Sequence, residues 1–306
     1  GNGISLPSSI KVLGNNAFTY SQISSINLPH NLTEIKYSAF EDCQNLESII
    51  IPAGVTILDS SVFEDCTRLN EVNILGDITE ISSRAFSQCY CLKRINSETD
   101  GVFNLNFSLV KIEDEAFRCC DAMEEVNIAE TVTQIGSEVF SQCLTLAAIH
   151  VDEDNTEYKS IDGVLYDKSG ETLLYYPVGK PQITFILPEG IKVLSSFAFY
   201  GVHYLENIVI TEGVTTIDDC AICCCYSLKS IIIPSTVNVI NQISFDECEQ
   251  LEEVFIYAIT PPQLMSFFGE FGNYKIYVPA ESVDIYLENE MWQYYYYDRI
   301  CAIPEE

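Results

Sequence analysis

The sequence predicts a repeat solenoid, a fold in which short units stack side by side and share one core. Two observations predict it. An Ala-Phe or Val-Phe dipeptide, or a close variant, recurs along the chain, and most steps between copies are 23 residues. A Cys follows most copies three residues after the Phe, and a Leu or Met follows six residues after it. Units this short cannot bury an apolar face alone, so they must stack on their neighbours. The copies begin at Ala17, Ala39, Val62, Ala85, Ala116, Val139, Ala198, Ala221 and Ser244.

Each unit is expected to contain one strand that its leucine opens. In the segment Leu46–Pro52 the apolar residues Ile49 and Ile51 alternate with outward positions, which is typical of a half-buried strand. Pro52 ends the strand because it cannot donate to the next ladder bond. A second apolar stretch, such as Val55 to Leu58, begins the return path. The step of 31 residues indicates an insertion of eight residues. The step of 59 residues indicates one additional, longer unit.

The composition excludes several classes of partner and structure. The 45 acidic and 15 basic residues give a net charge of −30, which disfavours nucleic acid and anionic membrane surfaces as partners. The apolar content of 47% is too high for a disordered acidic chain, so a core is expected. No run of about 18 uncharged apolar residues occurs, so no transmembrane segment is predicted, and this sequence shows no signal or anchor segment.

The full unit reads V-T-x-I-x-x-x-A-F-x-x-C-x-x-L-x-x-I-x-I-P and resembles the leucine-rich repeats of BspA-like bacterial surface proteins. The match runs from about Ile4 to Pro279. The resemblance implies a right-handed leucine-rich-repeat solenoid with a parallel β-sheet on the concave face and irregular or short helical turns on the convex face. It implies a single domain over residues 1–306, with repeats over 4–279. It also implies an extracellular or bacterial cell-surface location and a role in adhesion or host interaction.

Two stretches depart from the repeat. Residues 152–181 are expected to hold a β-hairpin insertion, because the β-rich runs Ser160–Tyr166 and Thr172–Pro177 flank a cluster of turn residues. Residues 280–306 are expected to form a C-terminal cap after a last strand at Tyr274–Pro279. A helix over Ser282–Glu290, together with Trp292, would cover the apolar edge that the end of a solenoid exposes.

Among the thirteen cysteines, two overlapping groups stand out. Seven occupy the repeat position and should pack inward as small, weakly polar fillers that stay free thiols, because parallel side chains on neighbouring strands do not converge. The cluster Cys220–Cys225 suggests zinc, but its Cys220 and Cys223 form an isolated C-x-x-C pair, and structural zinc usually takes two such pairs. Exposed thiols on an outer turn are the preferred interpretation. The seven repeat cysteines are Cys43, Cys66, Cys89, Cys120, Cys143, Cys225 and Cys248.

No motif predicts an enzyme. The three histidines, His30, His150 and His203, are not neighbours in the repeat register, so no nucleophile–base pair is favoured. No phosphate-binding glycine motif occurs. The acidic stretch Asp152–Asn155 contains calcium-type oxygen ligands but lacks a glycine-turned loop, so a solvated acidic turn is preferred over a calcium site. We therefore expect no catalytic residue, no cofactor and no metal ligand.

The strands suggest where a partner binds. The outward residue between the two core positions of each strand is mostly polar in the first half of the chain and apolar in the second. A contiguous apolar stripe often marks a partner site, although β-branched and aromatic residues also stabilise a sheet by lateral packing. The residues are Asn27, Ile50, Asn73, Asn127 and His150, followed by Ile186, Val209, Ile232, Phe255 and Tyr277.

The expected function is thus non-enzymatic binding of a protein or a host-surface macromolecule through the solenoid surface. Two alternatives stay open. A carbohydrate-binding surface protein is favoured if aromatic residues line the concave face, and a structural spacer is favoured if a further domain lies on the N-terminal side.

Overall fold

The computed structural model describes residues 3–105, 108–266 and 274–304. The chain divides into two compact units, Gly1–Lys168 and Ser169–Glu306, which are described separately. In each unit a coil consists of a longer strand, an outer turn and a short strand on the return path. A membrane-spanning helix is not found among the described residues.

The longer strands of the first unit form one parallel sheet of eight strands. Short two-residue strands on the return path pair with one another in the same parallel sense. The longer strands are β1 (Gly3–Ser5), β3 (Ser25–Asn27), β5 (Ser48–Ile51), β7 (Glu71–Ile74), β9 (Arg94–Ile95), β10 (Val102–Leu105), β12 (Glu125–Ile128) and β14 (Ala148–Val151). The short strands are β2 (Val12–Leu13), β4 (Glu34–Ile35), β6 (Ile57–Leu58), β8 (Glu80–Ile81), β11 (Lys111–Ile112) and β13 (Gln134–Ile135).

The second unit repeats this arrangement with a six-stranded parallel sheet. Its short strands again pair in parallel along the return path. The longer strands are β18 (Thr184–Ile186), β20 (Asn207–Val209), β22 (Ser230–Ile233), β24 (Glu253–Ile256), β26 (Lys275–Val278) and β27 (Ile300–Ala302). The short strands are β17 (Thr172–Tyr175), β19 (Val193–Leu194), β21 (Thr216–Ile217), β23 (Val239–Ile240) and β25 (Gln263–Leu264).

The core of each coil is organised around the repeated Phe. In the first unit six of these rings stack in one column, with centroids 5.4 to 6.1 Å apart from one coil to the next. The Leu and Cys of the repeat are buried beside them. This arrangement confirms the register that the sequence predicts. The stacked rings belong to Phe18, Phe40, Phe63, Phe86, Phe117 and Phe140.

The outer turns are more regular than expected and contain no helix in the described coils. Around Phe40, the residues two before and two after it, Ser38 and Asp42, have φ of 53° and 56°. Their N–H groups and that of Phe40 donate to carbonyls of the next coil, at 3.0, 2.8 and 3.0 Å respectively. The same two left-handed positions recur in the other coils. Left-handed backbone costs energy in residues other than glycine, and the hydrogen-bond ladder between coils offsets this cost.

The eight-residue insertion adds a strand that the sequence analysis missed. Strand β9 is followed after six residues by β10, which pairs with it in parallel through Ile95 and Phe103. On the opposite side the coils stay in contact, because β8 pairs directly with β11 and the Phe86 and Phe117 rings stack at 5.4 Å. The insertion therefore widens the sheet side alone, and Phe103 fills the added core with an edge-on contact to Phe117.

A β-hairpin lies within the predicted insertion, but its strands are not the two predicted runs. The run Ser160–Tyr166 is not one strand: it is divided between β15 (Tyr158–Ile161) and β16 (Val164–Asp167), which pair antiparallel. Asp162 and Gly163 form the turn, with φ of 56° and 77°, as a tight two-residue hairpin requires. Gly163 also approaches β14 so closely that a Cβ there would lie 2.9 Å from the Cβ of Ala148. The N–H of Ile149 donates to the Gly163 carbonyl at 2.9 Å.

The C-terminal cap contains Trp292 in its core, as predicted, but not the single helix. A 3-10 turn (Ala280–Ser282) leads into α1 (Val283–Glu288), and α2 (Glu290–Tyr296) follows. Asn289 interrupts the helix and caps α2 by accepting from the N–H groups of Met291 and Trp292. The Trp292 indole donates to the Pro262 carbonyl at 2.8 Å. The chain then adds β27 to the sheet beside β26, a strand that the sequence analysis did not predict.

Candidate binding surface

The five apolar residues predicted as a binding surface form one continuous row in the second unit. Each is the direct cross-strand neighbour of the next, from β18 to β26. At the spacing of a parallel sheet the row is about 20 Å long. We call it the apolar row, and it consists of Ile186, Val209, Ile232, Phe255 and Tyr277.

The apolar row faces solvent at one end and is half-covered elsewhere. Ile186 is 62% exposed. The other four side chains have intermediate exposure, while the residues that precede and follow them in their strands are mostly buried. The Phe255 and Tyr277 rings stack at 4.9 Å with an interplanar angle of 17°. Neighbours along the row thus cover part of one another, and an apolar strip stays accessible to solvent.

Polar side chains border the apolar row. On the same face, two residues earlier in each strand, stand Thr184, Asn207 and Ser230, then Glu253 and Lys275. A partner that covers the apolar row would therefore contact hydroxyl and amide groups beside the first three residues of the row and charged groups beside the last two.

The corresponding row of the first unit is mostly polar. Asn127 is the cross-strand neighbour of His150. The side-chain NH2 of Asn127 donates to the side-chain oxygen Oδ1 of Asn104 at 2.7 Å. Asn104 belongs to the row through β10, which the sequence analysis did not recognise. The His150 imidazole lies 3.5 Å from a Glu125 carboxylate oxygen, with both side chains half-exposed. Ile50 is the exception in this row, with 55% of the residue exposed.

A cavity of about 350 Å³ opens beside Ile50, where β3 and β5 share the single ladder pair Ser25 and Ser48. Asn27 and the exposed Leu75 also line it.

The seven repeat cysteines are free and buried, as expected, and they also make a contact that the sequence analysis did not predict. Each thiol donates to the carbonyl at the Phe position of the preceding coil, as Cys89 does to Phe63 at 3.1 Å. Burial raises the pKa of the Cys43 thiol to about 11 and raises that of the other thiols with resolved shifts in the same direction. These thiols are therefore protonated at neutral pH and unreactive.

The outer-turn thiols differ from the prediction. Cys223 was expected to be exposed, yet only 3% of it is. Its Sγ donates to the Ile243 carbonyl, and the nearby Cys220 side chain, together with burial, raises its pKa. Cys220 itself is half-exposed. A turn from the next coil covers Cys223, which a single repeat unit does not reveal.

The acidic stretch near residue 152 forms an exposed carboxylate cluster. Carboxylate oxygens of Glu130, Asp152 and Asp154 lie within 4.8 Å of one another. Asn155 is buried, and its amide nitrogen donates to the carbonyls of Ala129 and Val132. Its side-chain oxygen accepts from two N–H groups of the hairpin. Asn155 therefore fixes the start of β15 and is not free to bind an ion.

The histidines are not brought together with one another. His203 stacks on Tyr226 of the next coil at 5.9 Å, and burial lowers its pKa. His30 lines the cavity beside Ile50, and His150 pairs with Glu125.

Comparison with known proteins identifies the family. The family model of the BspA-type leucine-rich repeat region matches residues 2–102, 101–162 and 179–284, in six copies. The chain belongs to the BspA-type leucine-rich repeat family. No match was found among curated proteins.

Solved structures of bacterial leucine-rich repeat proteins share the fold. A leucine-rich cell surface protein from Faecalibacterium prausnitzii A2-165 is 24% identical with a TM-score of 0.68, covering 92% of this chain and 83% of that one. The pneumococcal vaccine antigen PcpA is 22% identical with a TM-score of 0.62, covering 100% and 79%. A leucine-rich repeat protein from Bacteroides ovatus ATCC 8483 is 23% identical with a TM-score of 0.55, covering 99% and 84%. At these identities the likeness shows the fold alone.

Proposed function

We propose that this protein is a non-enzymatic binding protein of the bacterial surface or the extracellular space, and that the apolar row is its contact surface for another protein. The observation that carries the proposal is the unbroken register of five solvent-facing apolar residues on neighbouring strands. The location rests on family membership and on the Faecalibacterium relative, which is described as a cell surface protein.

The charge of the chain suggests the chemistry of the partner. With a net charge of −30, the protein attracts cationic surfaces and repels acidic ones. Near the apolar row the charges are partly paired, since Glu206, just before β20, pairs with Lys229 at 2.8 Å, but the net charge of the chain is strongly negative. A suitable partner therefore presents apolar side chains bordered by Lys or Arg, since complementary charge speeds association and selects the partner.

The test compares one double variant with a matched control. Ile232→Ser combined with Phe255→Ser should lower binding of the purified protein to an array of immobilised extracellular proteins at least tenfold. Ile50→Ser removes an exposed apolar residue from the equivalent strand position of the first unit and should leave binding unchanged. Urea unfolding of each variant checks stability. Loss of stability with unchanged binding would show that the apolar row serves packing alone.

A glycan is the second candidate ligand, and the stacked rings of Phe255 and Tyr277 favour it, because sugar rings lie flat on aromatic faces. The two candidates predict different responses to single changes. Glycan binding should be lost in Tyr277→Ser and kept in Ile186→Ser, because Ile186 lies at the other end of the row from Tyr277. A protein partner that spans the row would be weakened by both changes. Binding to a glycan array provides the direct measurement.

A further inference from the structure

The outer turn around Ile222 brings two thiols together. Cys220 stands two residues before Ile222, and Cys223 follows it directly. The Cys223 N–H donates to the Cys220 carbonyl at 3.2 Å, which closes a four-residue turn. The ends of such a turn lie less than about 7 Å apart between Cα atoms, within reach of a disulfide. The Cys220 side chain also lies close enough to Cys223 to raise its pKa.

At the same two turn positions in the first unit, the side chains approach each other. Glu115 and Arg118 occupy them around Phe117, and their charged groups approach to 3.9 Å. The repeat cysteines point elsewhere, since Cys225 donates to the Phe199 carbonyl of the preceding coil at 3.1 Å. Cys224 points towards the Glu247 carboxylate, at 3.4 Å. Among the four cysteines at this turn, Cys220 and Cys223 are therefore the pair placed to react with each other.

The two thiols differ in access to solvent. Cys220 is half-exposed, whereas Cys223 is almost fully buried beneath it. The contact with Cys220, together with burial, raises the pKa of Cys223. A dissolved reagent therefore reaches the Cys220 thiol first, and the less accessible Cys223 thiol can react only after it.

We propose that Cys220 and Cys223 form a reversible disulfide by exchange with a small-molecule disulfide such as oxidised glutathione. The Cys220 thiolate attacks one sulfur of the reagent and expels one glutathione thiolate. Cys223 then loses its proton, attacks Sγ of Cys220 and expels the second glutathione thiolate. The two departing thiolates take up the two protons. One reagent disulfide is thus reduced while two cysteine thiols are oxidised. This site is independent of the apolar row.

The experiment maps the bond on the intact protein. The folded protein is incubated at about pH 8 with oxidised glutathione, quenched with acid, alkylated under denaturing conditions and digested with trypsin. The peptide Val193–Lys229 contains four cysteines and should carry only two alkyl groups, with a mass two hydrogens below the dithiol form of the same doubly alkylated peptide. Fragmentation should place the bridge at Cys220 and Cys223. Dithiothreitol should restore the mass. Cys91, an exposed thiol of the first unit, serves as the internal reference and should stop at a mixed disulfide with glutathione.

Three variants make the outcome decisive. Cys223→Ser should trap the mixed disulfide on Cys220, while Cys224→Ser should leave the bridge intact. Glu115→Cys combined with Arg118→Cys should create the same bridge at the equivalent turn. The proposal is overturned if wild-type Cys220 accumulates as a mixed disulfide like Cys91, or if a bridge persists in Cys223→Ser. Should Cys223→Ser fail to fold, the wild-type fragment map and Cys224→Ser still decide it.

Discussion

At the scale of single residues, the repeat cysteine is a hydrogen-bond donor as well as a filler. The thiol of Cys89 donates to the Phe63 carbonyl, whose other hydrogen bond comes from the Cys66 N–H. The thiol thus links one outer turn to the next. Val202 occupies this position in one coil of the second unit, so the shape of the site admits an apolar side chain without a donor.

Two substitutions of Cys89 separate donor from filler. Cys89→Ala should lower the free energy of unfolding by about 1–3 kcal/mol, through a lost hydrogen bond and a small cavity. Cys89→Ser keeps a donor and should cost less than the alanine variant, as measured by urea unfolding. If serine costs more than alanine, the burial of a hydroxyl outweighs its bond to Phe63, and the cysteine acts as a filler alone.

At the scale of elements, each outer turn is held from inside by the Phe column and from outside by the ladder between coils. Phe117 is fully buried and stacks on both neighbouring rings, with Phe103 against its edge. Phe197 belongs to the same kind of turn but lies at a left-handed outer position, half-exposed, with φ of 62°. Both residues are phenylalanines, but their environments differ.

This pair gives a matched test of the core. Phe117→Ala should lower the free energy of unfolding by about 3–5 kcal/mol, because it removes buried surface and leaves a cavity in the column. Phe197→Ala should cost less than about 1 kcal/mol, since surface substitutions are usually mild. Circular dichroism during urea titration of both variants provides the measurement. Equal costs would mean that the column is not the main support of the coil.

The elements also show what the sequence could predict. The 23-residue period was sufficient for the register of the core, because most coils repeat the same buried Phe, Cys and Leu. Strand β10 was missed because it lies inside an insertion, where the 23-residue pattern is interrupted. Strand β27 was missed because two helices separate it from β26, its partner in the sheet. Both pairings are set by packing that a repeat pattern does not encode.

The candidate sites follow the same rule. The placement of the apolar row could be predicted because strand periodicity fixes which side chains face outward. The burial of Cys223 could not, because it depends on contact with the next coil, where the Ile243 carbonyl accepts from its Sγ. A contact between coils depends on two units at once, and the consensus of one unit does not contain it.

At the scale of the whole molecule, burial and, in part, repulsion among carboxylates raise the pKa of several acidic side chains. The pKa of Asp65 is raised by burial and then by Glu64, Asp42 and Glu41. Burial is also the largest cause of the raised pKa of Asp121, Glu138 and Asp218. Glu113 is the opposite case, because its ion pair with Lys111 lowers its pKa.

These shifts determine how stability depends on pH. A carboxyl whose pKa is higher in the folded state binds more protons when folded, so its contribution to stability is lost as pH rises through that folded-state pKa. Carboxyls with a raised pKa outnumber those with a lowered pKa. The midpoint of urea unfolding should therefore be higher near pH 5 than at pH 7.5. Sodium chloride at about 1 M should raise the midpoint at pH 7.5, because it screens repulsion among the acids. A midpoint that falls on acidification to pH 5 would contradict this account.

Two substitutions locate the effect on particular carboxyls. Asp65→Asn removes one raised carboxyl, so it should raise the midpoint at pH 7.5 and reduce the gain between pH 7.5 and pH 5. Glu113→Gln removes the one carboxyl whose shift has the opposite sign, so it should lower the midpoint at pH 7.5 and increase that gain. The same urea titrations at both pH values measure these differences. If both variants shift the gain in the same direction, the pH dependence comes from net charge alone and not from these local environments.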